Sequence, residues 1–138
     1  MTAISGTTTR PLYDSTDSLL RFAMRADATL TGLGGLAVAF VADPLSSLTG
    51  LTSVQEYGIG AFFVLYGLVV FSLAALPNLR RAGISVVVAN IVYTLAAIVA
   101  ADAVPMTATG VAATLASGVY TAAFAGLQYL GVRRLQTA

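Results

Sequence analysis

A bundle of four transmembrane α-helices, with both termini on the cytoplasmic side, is the fold this sequence predicts. Three observations predict it. Only 9% of the 138 residues are charged while 57% are hydrophobic, against roughly 25% charged in an ordinary soluble domain. Four segments supply the ~20 mostly apolar residues needed to cross a ~30 Å hydrocarbon core. Every basic residue falls at one end of those segments, the side that the positive-inside rule assigns to the cytoplasm. A water-soluble helical protein would need polar helix faces that this composition does not supply.

The first segment covers about 19–42, following a polar tail at 1–18 that is rich in Ser and Thr. A segment of that composition has no hydrophobic face with which to pack. Asp14 or Ser15 is placed to cap the first helix. A cleaved signal peptide would need a shorter polar lead than this tail, so the segment is expected to be retained despite Ala37-Val38-Ala39. Asp43-Pro44 opens a short interfacial helix through Leu48. The second span covers about 54–76, with Ser53 and Glu56 spaced as a capping box. Pro77-Asn78 ends it and offers a cap to the third span, about 82–101. Pro105 suits the first turn of the fourth span, about 106–132, where its missing N–H would have no partner anyway.

Charge sets the orientation. Arg10, Arg21 and Arg25 precede or open the first span, Arg80 and Arg81 join the second to the third, and Arg133 and Arg134 follow the fourth. The opposite loops hold Asp43, Glu56 and Asp102 and no basic residue. The chain is therefore expected in the cytoplasmic membrane as a multi-pass protein. Arg21, Arg25, Arg80, Arg81, Arg133 and Arg134 are expected at lipid headgroups. The abundance of Ala and the use of Arg for every basic residue suggest a bacterial, high-GC genome.

Polar residues inside the spans are the candidate site, because each must find a partner there. At 1.5 Å per residue from the arginine end, Asp27 lies ~10 Å deep, Asn90 ~12 Å, and Ser72 and Gln128 ~6 Å. Tyr66, Tyr93 and Thr121, with Thr31 and Thr94, lie near the midplane. Thr114, Ser117, Thr121 and Gln128 share one stripe of the fourth helix. The uncharged members read as interhelical hydrogen bonds or as the lining of a polar pocket. Asp27 is the one acid within a span. It reads either as partner to Arg25, Arg80 or Arg81 in a salt bridge, or as a desolvated acid beside Asn90 able to exchange a proton. Ala28, Gly32 and Gly35, and separately Gly118, Ala122 and Gly126, form small-residue stripes suited to close helix packing, within the bundle or between copies. Gly32-Leu33-Gly34-Gly35 lies mid-membrane with no strand before it, which excludes a nucleotide-binding loop.

The run from Leu19 through Arg21, Arg25, Asp27, Thr31, Gly32, Gly34 and Gly35 to Leu36 resembles the opening of small four-span integral membrane proteins of actinobacterial type. Gly58-Ile59-Gly60-Ala61-Phe62 and Asn90 fit the same pattern. In size and topology the chain is similar to the DoxX-like membrane proteins, some of which are linked to quinone or thiol redox systems. The resemblance implies the four-span topology and assigns no activity to these residues.

With no Cys and no His, thiolate chemistry, imidazole bases and their metal and haem ligation are excluded. No metal site or cofactor is called for. The expected function is that of a non-catalytic accessory or interaction subunit, whose partners are the lipid bilayer and a membrane protein or a second copy of the chain, and not nucleic acid. The alternative is a small proton-coupled transporter titrating at Asp27. An enzyme acting on lipid or quinone ranks last, since Asp27, Arg21 and Arg25 form no recognisable catalytic set.

Overall fold

The structure is a computed structural model that describes residues 16–137. Five helices and no strand occur among the described residues: α1 (Ser18–Phe40), α2 (Ala42–Thr49), α3 (Ser53–Leu73), α4 (Arg80–Ala103) and α5 (Ala108–Thr137). The helices α3, α4 and α5 are each long and apolar enough to cross a membrane. The α1–α2 pair qualifies only when taken together, across a 90° bend. The chain is thus an all-helical, multi-pass membrane protein with three spans, or four where the bent pair counts as one. Its outer surface is apolar, with Phe40 at 89%, Val54 at 80% and Val119 at 70% exposure. That surface suits hydrocarbon and not water.

The helix boundaries follow local chemistry. The proposed caps Asp14 and Ser15 lie outside the described residues, as do Arg10 and most of the polar tail. The interfacial helix forms as α2 and stops at Gly50, whose φ of 81° is the left-handed conformation that glycine adopts without strain. The capping box sits one residue earlier than expected. Thr52 accepts from the Gln55 backbone N–H at 3.1 Å, and the Gln55 side chain accepts from the Thr52 N–H at 2.9 Å. Ser53–Glu56 cannot serve, because the Glu56 carboxylate is buried and accepts from the Thr49 hydroxyl at 2.6 Å. Asn78 accepts from the Arg80 N–H at 3.2 Å at the start of α4. Pro105 precedes α5 instead of opening it. Thr107 caps that helix by accepting from the Gly110 N–H at 3.1 Å, and its own N–H donates to the Thr49 carbonyl at 2.9 Å. This last bond ties the end of α2 to the start of α5.

Packing is unequal around the bundle. The tightest contacts join α1 to α3 and α4 to α5, with α1 also resting on α5. Between α1 and α3 the backbones approach until no side chain fits. A Cβ at Gly35 would lie 2.6 Å from the Gly60 carbonyl oxygen, and one at Gly67 would lie 2.6 Å from that of Ala28. The stripe Ala28, Gly32 and Gly35 therefore serves the bundle. On α5, Gly118 is buried against α4, whereas Ala122 and Gly126 are exposed. At the arginine end an apolar core of Leu20, Met24, Val70, Leu79, Val86 and Val132 closes the bundle. There Arg21 donates to the carbonyls of Ala74, at 2.5 Å, and Leu76, at 3.0 Å. It also pairs with Asp17 at 2.8 Å. A cation on these carbonyls satisfies groups that the end of α3 leaves without helical partners.

Adding a methyl group at Gly35 must push two backbones apart, whereas a Cβ at Gly34 meets nothing within 4 Å. Gly35→Ala is expected to destabilise the protein by about 1–3 kcal/mol. Gly34→Ala is expected to be neutral or stabilising, by up to about 1 kcal/mol through helix propensity. Thermal unfolding of the two variants in mild detergent checks the contrast.

Candidate functional site

The core of the bundle holds an acid without a cation. Asp27 on α1 is completely buried, as is Gln128 on α5, and Asn90 on α4 is 1% exposed. One carboxylate oxygen of Asp27 accepts from the Asn90 amide at 2.8 Å and from the Gln128 amide at 2.9 Å. The other accepts from the Thr31 hydroxyl at 2.9 Å and, at 3.4 Å, from the Tyr120 hydroxyl. An ionised carboxylate offers about four lone-pair sites; the two amides and one hydroxyl of the Thr31–Tyr120 pair donate to it at a time, since the pair's second proton joins the two hydroxyls to each other. None of Asp27's partners among the described residues is an arginine, so the salt-bridge reading of this acid does not describe its surroundings.

Each donor is held by a second bond. The Asn90 amide also donates to the Gln128 oxygen at 2.8 Å, and the Asn90 oxygen accepts from the Tyr66 hydroxyl of α3 at 3.0 Å. Because the carboxylate can only accept, it requires both amides to turn their NH2 groups toward it, which fixes their orientation. The Thr31 and Tyr120 hydroxyls are bonded to each other at 2.9 Å. All four long helices thus meet at Asp27, with α3 reaching it through Asn90. No buried side-chain polar atom is left without a partner among the described residues. Their acids gather into no group of three that could hold a metal ion.

The other polar residues fall into three groups. Thr94, stacked one turn beyond Asn90, bonds to the Asn90 carbonyl at 3.0 Å and to Thr121 at 2.7 Å, placing Thr121 one step from the cluster. Tyr93 forms a separate α4–α5 pair with Ser117 at 2.9 Å. Ser72 stands apart: it is exposed and bonds to the Leu68 carbonyl of its own helix at 2.8 Å. A depth ruler places it level with the cluster, but its direction around α3 takes it outward. Arg25, Arg80, Arg81, Arg133 and Arg134 are exposed, and Arg21 is engaged at the end of α3. Tyr120 is the member of the cluster that the sequence reading passed over. Its spacing of eight from Gln128, two turns along one face, was the available signal.

Beside the cluster lies a cavity of about 680 Å³, within the range of small-molecule sites. Its walls come from α1, α3, α4 and α5, and are largely apolar, including Leu30, Val38, Phe62 and Phe63. At its polar end are Thr31, Tyr66, Asn90 and Tyr120. Asp27 is one layer behind, bonded to three of these four.

Compared with protein-family models, with curated proteins and with solved structures, the chain matches none of them.

If the Asp27 cluster is charge-assisted, its bonds are stronger than ordinary interhelical ones. A double-mutant cycle of Asp27→Leu and Asn90→Leu, measured by unfolding in bicelles, should give a coupling of about 1.5–3 kcal/mol. A value near 0.6 kcal/mol, the average for interhelical hydrogen bonds in membranes, would reduce the cluster to ordinary helix packing.

Proposed function

We propose that this chain is a non-catalytic membrane subunit that binds a small lipid-soluble molecule inside its bundle. The observation that carries this reading is the cavity of about 680 Å³ that ends on hydroxyl and amide groups held in place by Asp27. An apolar enclosure with a few convergent polar groups is the general form of a small-molecule site. Intramembrane ionisable residues are found where function requires them. The absence of Cys and His favours binding over catalysis, since the usual nucleophile and general base are both missing. The accessory role is compatible with this reading, the bound molecule then being held for, or passed to, a partner protein in the same membrane.

The placement in the cytoplasmic membrane, with both termini inside, is part of the same proposal. It is supported by Arg21 and Arg25 opening α1, Arg80 and Arg81 opening α4, and Arg133 and Arg134 closing α5. The chain has no Cys, so single cysteines report topology directly. In intact cells an impermeant maleimide should label Thr52→Cys and spare Asn78→Cys; the reverse pattern would invert the assignment.

The binding reading is tested by extracting the protein, purified in mild detergent, with organic solvent and identifying bound small molecules by mass spectrometry. A lipid-soluble compound should accompany the native protein in near-stoichiometric amount and be lost from Gly34→Leu, whose side chain would enter the cavity. Equal recovery from both proteins would remove the cavity from the argument.

A further inference from the structure

The cavity is not closed on all sides. The helices α3 and α4 belong to different tight pairs and pack against each other only marginally. Long side chains bridge the seam between them: the Phe63 and Tyr93 rings, with centroids 5.8 Å apart, and the Tyr66–Asn90 hydrogen bond. A second cavity of about 470 Å³ lies along the same seam toward the α2 end, reaching Gly58, Ala100 and Val104. The two cavities share Phe62, Phe63, Tyr93 and Ala96 as walls, so they are neighbouring chambers along the seam, with the Phe63 and Tyr93 rings between them.

Three properties of this seam describe its occupant. The first is length. From Asn90 to Ala100 along α4 is ten residues, or ~15 Å of helix. An extended chain advances ~1.2 Å per bond, taking ~3.6 Å for the three backbone bonds of a residue. The groove therefore accommodates a chain of roughly a dozen bonds.

The second property is the charge of the head group. Asp27 does not line the groove, and its oxygens are turned toward protein donors. An ammonium group in the groove does not reach them, and the buried charge repels a carboxylate or phosphate. What reaches the groove is a set of hydroxyls and an amide whose protons are given to protein acceptors, which suits a neutral hydroxyl head that donates to the hydroxyl oxygens. The third property is access. Walls this apolar, beside exposed Phe62, Leu65 and Val92, open toward lipid and not toward water.

We infer that the α3–α4 seam takes a neutral, single-chain amphiphile from the bilayer, its hydroxyl head at Tyr66, Asn90 and Tyr120 and its chain running past Phe63 and Tyr93 toward Gly58. This inference rests on the binding reading and adds to it the ligand class, the direction of entry and the use of both chambers. Two glycines allow each chamber to be filled separately. Gly34 lines the Asp27 chamber and Gly58 the other, and a Cβ at either meets nothing within 4 Å. Gly126 is equally open and lines neither chamber, but a separate cavity of about 400 Å³ between α4 and α5.

The experiment is photo-crosslinking of the full chain in phospholipid nanodiscs, using diazirine-bearing hexanol and dodecanol with peptide mapping by mass spectrometry. Unlabelled dodecanol, dodecanoate and dodecylammonium serve as competitors. Native protein should be labelled on α3 and α4, with dodecanol competing about tenfold better than either charged analogue. Gly34→Leu should lose labelling by both alcohols. Gly58→Leu should lose most dodecanol labelling and keep that by hexanol, and Gly126→Leu should match the native protein. Circular dichroism and size-exclusion profiles establish that each variant is folded. If Gly34→Leu blocks both alcohols while Gly58→Leu blocks neither, binding in the cavity stands and the two-chamber inference falls. Stronger competition by a charged analogue overturns the neutral head group. Labelling that no seam variant changes overturns both this inference and the binding reading.

Discussion

A carboxylate enclosed by protein at membrane depth constrains everything around it. Its desolvation costs several kcal/mol even after relaxation, and no arginine among the described residues pairs with Asp27 to offset that cost. The compensation comes from the Asn90 and Gln128 amides and the Thr31–Tyr120 hydroxyl pair, which converge on two oxygens from α1, α4 and α5. Such convergence tolerates little movement of one helix against another, because hydrogen bonds weaken steeply away from good geometry. The close backbone approach at Gly35 and Gly67 is the complementary condition. It draws α3 in against α1, so that Tyr66 can complete the set by bonding to Asn90. Arg21 reinforces the same pairing by closing the carbonyl end of α3.

These demands divide the bundle into two tight pairs and one seam. α1 packs on α3 through glycine, and α4 packs on α5 through Gly118, Ala97 and the Thr94–Thr121 bond. With α1 also resting on α5, three of the four sides are joined by backbone-level contact. The fourth, between α3 and α4, is bridged by rings and one hydrogen bond. In a bilayer such a gap is filled by acyl chains or by a ligand, since an empty groove forfeits the dispersion contacts of its lining. The seam is the geometric consequence of building the other three sides so closely.

Much of this was legible in the sequence, for identifiable reasons. The positions of the long apolar helices follow from the length of apolar segments. The short helix expected at Asp43-Pro44 forms as α2, but it starts at Ala42 with no side-chain cap, so Asp43 lies in its first turn and does not cap it. The pairing of Asp27 with Asn90 was visible because both lie at the same depth and an intramembrane acid must find a partner. Direction around the helix axis was not legible in the same way. Ser72 shares that depth and faces outward, because on α3 the glycine face turns inward and leaves Ser72 to bond its own backbone. Arg21 has the composition of a headgroup contact, and only the tertiary fold puts the end of α3 within its reach. The one-residue offset from Ser53–Glu56 to Thr52–Gln55 has a similar origin. Both pairs have capping-box spacing, and the burial of Glu56 against Thr49 decides between them.

The position of Asp27 also bears on what an intramembrane acid does here. An acid that binds a cation or a ligand directly needs a lone pair facing the cavity. Asp27 sits behind the lining, with its oxygens turned to protein donors. Its effect is transmitted by the groups it holds: it orients the Asn90 amide, and Asn90 in turn accepts from Tyr66, leaving the tyrosine oxygen free to accept from the groove side. The Thr31–Tyr120 pair is less constrained, since either oxygen can donate to the other. It is the part of the cluster able to reverse its hydrogen bonds when a head group arrives. A rigid amide on one side and a reversible hydroxyl pair on the other can accept from a head group's O–H, while one hydroxyl of the pair stays on the carboxylate in either arrangement.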